Sequence, residues 1–276
     1  MERFLHRLGC SEFRDDFVLK GALLLRHWLG TQTRPTRDID LLGPADLDPE
    51  GLRSMLLSLL RVEVEADGID FDLDSLTVGP IRAESPVLGL RAKFDARLAR
   101  VRLRYQVDVG LGDAVFPPVM DLVPGGLLGF SMASVRAYTP YTTVAEKLEA
   151  MVQLGEANSR LKDYYDLAML PRSLEFDGQT LVESMHRTFS RRATPIPSEP
   201  LEGLSDAFAH YPLNATRWRA FLEKGRLTTL SPDLREVVSE IRRFAQPVLA
   251  AAARGEPFVA TWPPVAPWQS TEEHAA

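Results

Sequence analysis

Asp38 and Asp40 are separated only by Ile39 in the run Arg34-Pro-Thr-Arg-Asp-Ile-Asp-Leu-Leu42. Ile39, Leu41 and Leu42 make this a short strand. Side chains on a strand alternate faces, so both carboxylates point the same way. Adjacent carboxylates stay ionised together only where positive charge compensates them. A divalent metal held by one or two carboxylates and by substrate phosphates is the usual compensator. The pair therefore points to phosphoryl or nucleotidyl transfer. The competing reading is a solvated strand edge, or ion pairs with Arg34 and Arg37.

Other residues fit the same chemistry, each with a plainer alternative. Lys20-Gly21-Ala22 precedes the acidic strand. Its glycine would let backbone approach a phosphate and its lysine would neutralise one, or both are ordinary helix residues. Asp108 lies on the polar face of a second strand, where a third carboxylate could complete a metal site or act as a base. A salt bridge to Arg102 or Arg104 is the alternative, and Asp113 reads as a loop residue. Asp70, Asp72 and Asp74 also share a strand face, but no glycine or lysine loop accompanies them, and they read as solvated. In the second half, Glu146-Lys147 precedes Arg160-Leu-Lys162-Asp163-Tyr-Tyr-Asp166. Asp163 and Asp166 share a helical face. They read either as surface ion pairs or as part of a phosphate clamp, with Lys147 reaching a triphosphate and Asp163 orienting it. Arg187, Arg191, Arg192, Arg217 and Arg219 read as solvated helix faces before they read as an RNA-binding patch.

These residues need elements to position them. Residues 13–29 read as a helix, with the acidic strand after it and a helix from Asp48 to Leu60, Pro49 at its first position. From 62 to 109 the pattern has period two. Leu90, Ala92, Phe94 and Ala96 alternate with Arg91, Lys93, Asp95 and Arg97, and Val101 to Val109 alternate in the same way, so a mostly antiparallel sheet with one buried face is expected. After Pro140 the chain reads as helical near 143–156, 160–171, 178–191, 201–224 and 232–254, with Pro212 splitting the fourth and Pro247 kinking or shortening the last. The expected organisation is an α/β (α+β) protein: a mixed sheet with flanking helices over residues 1–130, an all-helical lobe over 131–256 and a flexible tail over 257–276.

Composition narrows the class. Of 276 residues, 45% are hydrophobic and 25% charged, ordinary for a globular protein with a real core. The one cysteine leaves no disulfide framework and no cysteine-based zinc site, as expected for a cytoplasmic protein. No secretory signal and no membrane span are legible. A net charge of −6 disfavours general duplex binding but permits a local basic patch.

Taken in order, five blocks resemble the AbiEii/AbiGii family of bacterial toxins, with its MenT-type members, within the DNA-polymerase-β-like nucleotidyltransferases. The blocks are Leu19-Lys20-Gly21, Arg34-x-Thr36-x-Asp38-Ile39-Asp40-Leu41, Gln106-Val107-Asp108-Val109-Gly110-x-Gly112-Asp113, Ala145-Glu146-Lys147-Leu148-Glu149-Ala150 and Asn158-Ser159-Arg160-x-Lys162-Asp163-x-x-Asp166-Leu167. The resemblance covers residues 17–170. It implies a nucleotidyltransferase-like sheet domain in which Asp38 and Asp40 bind Mg²⁺ with help from Asp108. It implies catalytic roles for Asp38, Asp40, Lys147 and Asp163. It places Lys20, Gly21, Thr36, Arg37, Asp108, Glu146, Arg160, Lys162 and Asp166 in substrate binding. It also implies a toxin with a separately encoded antitoxin, transferring a nucleotide from an NTP to RNA, at the 3′ end of tRNA. The family's first motif usually continues with glycine and a small or hydroxyl residue, whereas Ala22 and Leu23 stand here. The alternatives are a nucleotide-sugar glycosyltransferase, transfer of the nucleotide to a protein, or a catalytically weakened nucleotide- or RNA-binding homologue. A haloacid-dehalogenase phosphatase is disfavoured by the Arg34–Arg37 stretch.

Overall fold

A computed structural model describes residues 1–81, 89–126 and 129–270. They form two compact units. The first comprises Met1–His27, Thr36–Asp113 and Val119–Tyr138; the second comprises Trp28–Pro35, Ala114–Pro118 and the chain from Thr139 onward.

In the first unit the elements run α1 (Glu2–Cys10), β1 (Val18–Lys20), α2 (Gly21–Leu29, whose last residues belong to the second unit), β2 (Asp38–Gly43), α3 (Pro49–Leu60), β3 (Ile69–Pro80), β4 (Gly89–Leu98), β5 (Val101–Leu111), β6 (Met120–Leu122) and β7 (Val135–Ala137). The strands make one mixed sheet in the order β3-β4-β5-β2-β1-β7-β6. The acidic strand β2 lies in its middle, parallel to β5 and antiparallel to β1. The expected alternation is present in β4 and β5, where Leu90, Ala92, Phe94, Tyr105, Val107 and Val109 are buried. Phe94 stacks on Tyr105 at 5.1 Å and meets Phe4 of α1 at 6.0 Å, so this face carries the core and the opposite face is left polar. Asp48 caps α3 by accepting from the Gly51 amide, with Pro49 at the helix start.

The helix expected over 13–29 is a strand followed by a helix. Val18 and Leu19 are paired on both sides, with β2 and β7, and this non-local pairing overrides the helical pattern. Lys20-Gly21 therefore sits at a strand–helix junction rather than inside a helix.

The second unit contains α4 (Pro140–Leu154), α5 (Leu161–Ser173), β8 (Phe176–Asp177), α6 (Gly178–Arg191), α7 (Asp206–His210), α8 (Pro212–Gly225), α9 (Leu234–Arg254), β9 (Ala260–Trp262) and β10 (Gln269–Ser270). Pro212 starts α8 and so divides the expected fourth helix. Helix α9 does not stop at Pro247 but runs through it to Arg254. Its buried stripe, from Leu234 through Phe244 to Ala252, supplies packing that outweighs one missing amide. The lobe is not wholly helical, because β8, β9 and β10 form a small antiparallel sheet. That sheet also corrects the expected tail over its described part. Trp262 is buried, stacks edge-on to Phe244 and donates its indole N–H to the Pro171 carbonyl. Residues 271–276 of the expected tail lie outside the described residues. No helix among the described residues is long and apolar enough to cross a membrane.

Candidate active site

The polar face of the first unit carries an ordered row of charge. Lys20 lies opposite Asp40, Asp40 opposite Asp108, and Asp108 opposite Arg91. Directly opposed residues point to the same side of a sheet. Four strands thus set two carboxylates between two cations. A second row beside it holds Asp38, Gln106 and Lys93. Thr36 shapes the entry to β2, its hydroxyl accepting from the Asp38 amide at 3.3 Å, which makes it a positioning residue for Asp38.

Gly21 opens α2 at φ +70°, and a Cβ there would lie 2.0 Å from Oδ2 of Asp40. Only glycine lets the first turn of the helix come this close to the carboxylate. Ala22 is buried with an ordinary backbone, so the departure from the family's motif sits in the core and the left-handed geometry falls on Gly21 alone. Lys20 donates to Asp113 at 3.0 Å and lies 5.3 Å from the centre of the Tyr138 ring. Asp113, expected as a plain loop residue, is this lysine's buried partner.

Asp108 differs from the expectation. Arg91 donates to both its oxygens at 2.7 Å, and Gln106 donates to Oδ2 at 3.3 Å. Its partner is therefore neither Arg102 nor Arg104; Arg102 pairs with Asp95 instead. The hydrogen bonds that Arg91 donates to Asp108, with the charges of Asp108, Asp38 and Asp40 adding to them, raise the Arg91 guanidinium pKa above its ordinary value. Among the described residues no cluster of three or more His, Cys, Asp or Glu is arranged to hold a metal. What remains is Asp38 and Asp40, two hard oxygen donors on one open face. That set fits Mg²⁺, which takes one or two carboxylates and fills its shell with phosphate and water. Asp70, Asp72 and Asp74 are exposed, as their spacing suggests.

The second unit holds a separate ionic cluster. Lys147 on α4 donates to Asp163 at 2.8 Å and to Asp166 at 2.7 Å, both on one face of α5. Arg34 forks onto both oxygens of Asp166, at 3.0 and 3.1 Å, and Arg160 reaches Asp163 at 2.8 Å. The two carboxylates are buried, so this is not surface pairing. Burial opposes the Lys147 ammonium, but the charges of Asp163 and Asp166 outweigh it and raise its pKa. Burial likewise opposes the Asp163 carboxylate, and Lys147 and Arg160 outweigh that and lower its pKa. Three cations face two acids, leaving the cluster one positive charge in excess.

The remaining expected residues fall outside these clusters. Glu146 pairs with Arg192 at 3.1 Å, and Arg192 also binds Glu149. Lys162 is exposed and forms no ion pair with Asp166. Arg37 is exposed beside Asp38. Residue reasoning missed the clamps made by Arg91 and Arg34. Arg91 was visible as a polar position in the period-two run, but its register against Asp108 was not.

Comparison with known proteins extends this geometry. No curated protein matches the chain. Solved structures share its fold, two of them as follows. MenT4, a nucleotidyltransferase toxin from Mycobacterium tuberculosis, is 18% identical with a TM-score of 0.52, covering 92% of this chain and 90% of that one. JHP933 from Helicobacter pylori is 14% identical with a TM-score of 0.50, covering 91% and 90%. The sequence model of the nucleotidyl transferase AbiEii toxins matches residues 3–240. With the sheet, the acidic row and a match of that length, the chain belongs to the AbiEii nucleotidyltransferase toxins of type IV toxin–antitoxin systems.

Proposed function

We propose that this nucleotidyltransferase moves a nucleoside monophosphate from an NTP to an RNA 3′ hydroxyl, that of tRNA, and so blocks translation. The observation that carries the reading is the carboxylate pair on β2 with the Gly21 backbone packed against Asp40. In the reaction the bond from the α-phosphorus to the pyrophosphate oxygen breaks, a bond to the RNA 3′ oxygen forms, pyrophosphate leaves and the hydroxyl proton passes to water. Asp38 and Asp40 would hold Mg²⁺, which would supply positive charge against the phosphates of the NTP. Gly21 lets the start of α2, where the helix dipole favours an anion, come close to Asp40. In the second unit, Lys147 held by Asp163 and Asp166 is the cation the family resemblance implies in the reaction. Asp108 anchors Arg91 beside the metal seat instead of supplying a third ligand. Family membership supports a separately encoded antitoxin as partner.

The test incubates purified protein with each labelled NTP, Mg²⁺ and total tRNA. Label is expected in tRNA with at least one NTP. No incorporation from any of them contradicts the reading, and label on a protein instead moves the acceptor to a side chain.

A further inference from the structure

The metal seat has two different sides. Toward β1 lie Lys20 and the start of α2, the place for a triphosphate. Toward β5 and β4 the polar face continues into a cavity of about 440 Å³ lined by Asp38, Arg37, Lys93, Gln106, Arg102 and Arg104. The register explains it. Lys93 lies opposite Gln106, and Gln106 opposite Asp38, so Lys93 stands two strands from the carboxylate, roughly 10 Å away at the usual strand spacing. Arg104 and Arg102 follow on the same face of β5, because they keep the parity of Asp108 and Gln106.

The charge here is not used up by the fold. Asp95 pairs with Arg102, and lies 3.9 Å from Arg104. Arg37 and Lys93 are exposed and have no ion-pair partner among the described residues. Arg104 is 82% exposed at its side chain. Two of the arginines first weighed as an RNA patch are placed otherwise. Arg187 pairs with Glu183 and covers the Phe116 ring at 4.2 Å, and Arg192 is clamped by Glu146 and Glu149. An acidic protein that keeps unspent cations in one cavity beside its carboxylates has built a local site for a polyanion.

We infer that this cavity is the acceptor-strand site: Lys93 and Arg104, with Arg37, hold the phosphates of the RNA behind its 3′ end, so that the terminal hydroxyl reaches Asp38 and Asp40. The inference rests on the proposed transfer to RNA and adds where the RNA lies and which residues hold it. Contacts of this kind fix the strand's position and carry little base preference.

The test measures binding apart from turnover. A 5′-fluorescent RNA hairpin with a single-stranded 3′ overhang is titrated with full-length protein, without NTP, across a range of salt. Lys93→Glu/Arg104→Glu is expected to weaken Kd at least tenfold and to make the plot of log K against log salt shallower by about 1.4 to 1.8, at about 0.7 to 0.9 per lost phosphate contact. Lys93→Arg is expected to bind as the parent does, and NTP affinity is expected to hold in all variants. Unchanged Kd and slope in the charge reversal, or no RNA binding by the parent, overturns the inference. Should the double variant fail to fold, Lys93→Glu alone carries the test, with half the change in slope. A parallel labelling assay separates the two claims. Binding that changes as described without any label entering RNA removes the transfer reading and leaves the site. Equal labelling with equal KM for RNA in parent and variant removes the site and leaves the transfer reading.

Discussion

The two ionic clusters of this protein are opposites in construction. In the helical unit every oxygen of Asp163 and Asp166 already accepts from Lys147, Arg34 or Arg160, and the acids are buried. In the sheet unit the Asp38 carboxylate is half-exposed and accepts from no side chain among the described residues, and the Gly21 backbone packs against Asp40. A saturated buried network resists rearrangement, and breaking it leaves charges that cannot return to water. An open pair of like charges costs the fold little and gains most from an added cation. The helical cluster is thus built to hold one lysine in one place, and the sheet cluster to receive a ligand.

Substitutions in the two units should therefore separate activity from stability. Asp40→Asn removes half of the metal seat and leaves the buried cluster of Lys147, Asp163 and Asp166 untouched. Transfer should fall by about 10³-fold, the equivalent of about 4 kcal/mol of transition-state stabilisation, while the melting temperature stays within a few degrees. Single-turnover labelling and a thermal melt read both; a large loss of stability here would erase the contrast. Lys147→Ala should abolish labelling too, but should also destabilise the protein by about 3 kcal/mol, because two buried carboxylates lose their shared cation. Denaturant unfolding checks this, and a variant as stable as the parent would show that the cluster is not structural.

Gly21→Ala sharpens the contrast from within the sheet unit. A side chain at φ +70° is strained by about 1–3 kcal/mol and meets the Asp40 carboxylate. Transfer should drop roughly tenfold to a hundredfold with a smaller loss of stability, whereas Ala22→Gly should leave transfer unchanged. The smallest effect is on pH dependence. Asp163 has a lowered pKa in the fold, so its contribution to stability is present above its ordinary value of 3.8 and is lost as pH falls through the folded value. Lys147 has a raised pKa, so its contribution is present below 10.5 and is lost as pH rises through the folded value. Melting temperature should form a plateau between these limits, and Asp163→Asn should flatten its acid limb. An unchanged acid limb would remove Asp163 from the account.

How much of this was legible depended on how local each signal is. Strand alternation alone put Asp38 and Asp40 on one face, and helix spacing alone put Asp163 beside Asp166. The strand in β4 was read because its alternation is long. Strand β1 was not, because three residues inside an apolar run carry no period. The row from Lys20 to Arg91 was beyond the sequence for a different reason. Register is set by pairing between strands far apart in the chain, and a slip of one residue would have turned Arg91 away from Asp108. Arg34 was quoted among the family blocks, yet its fork onto Asp166 joins residues more than a hundred positions apart. The tail was misjudged on its prolines, while Trp262 buried against Phe244 decided its course.

The most direct test of the central claim measures metal binding itself. Mn²⁺ is titrated into the protein with an NTP analogue whose α,β-bridge cannot be cleaved, and free ion is followed by electron paramagnetic resonance. The account predicts uptake by the parent beyond what the analogue binds alone, and its loss in both Asp38→Asn and Asp40→Asn. Equal uptake by parent and variants would contradict it.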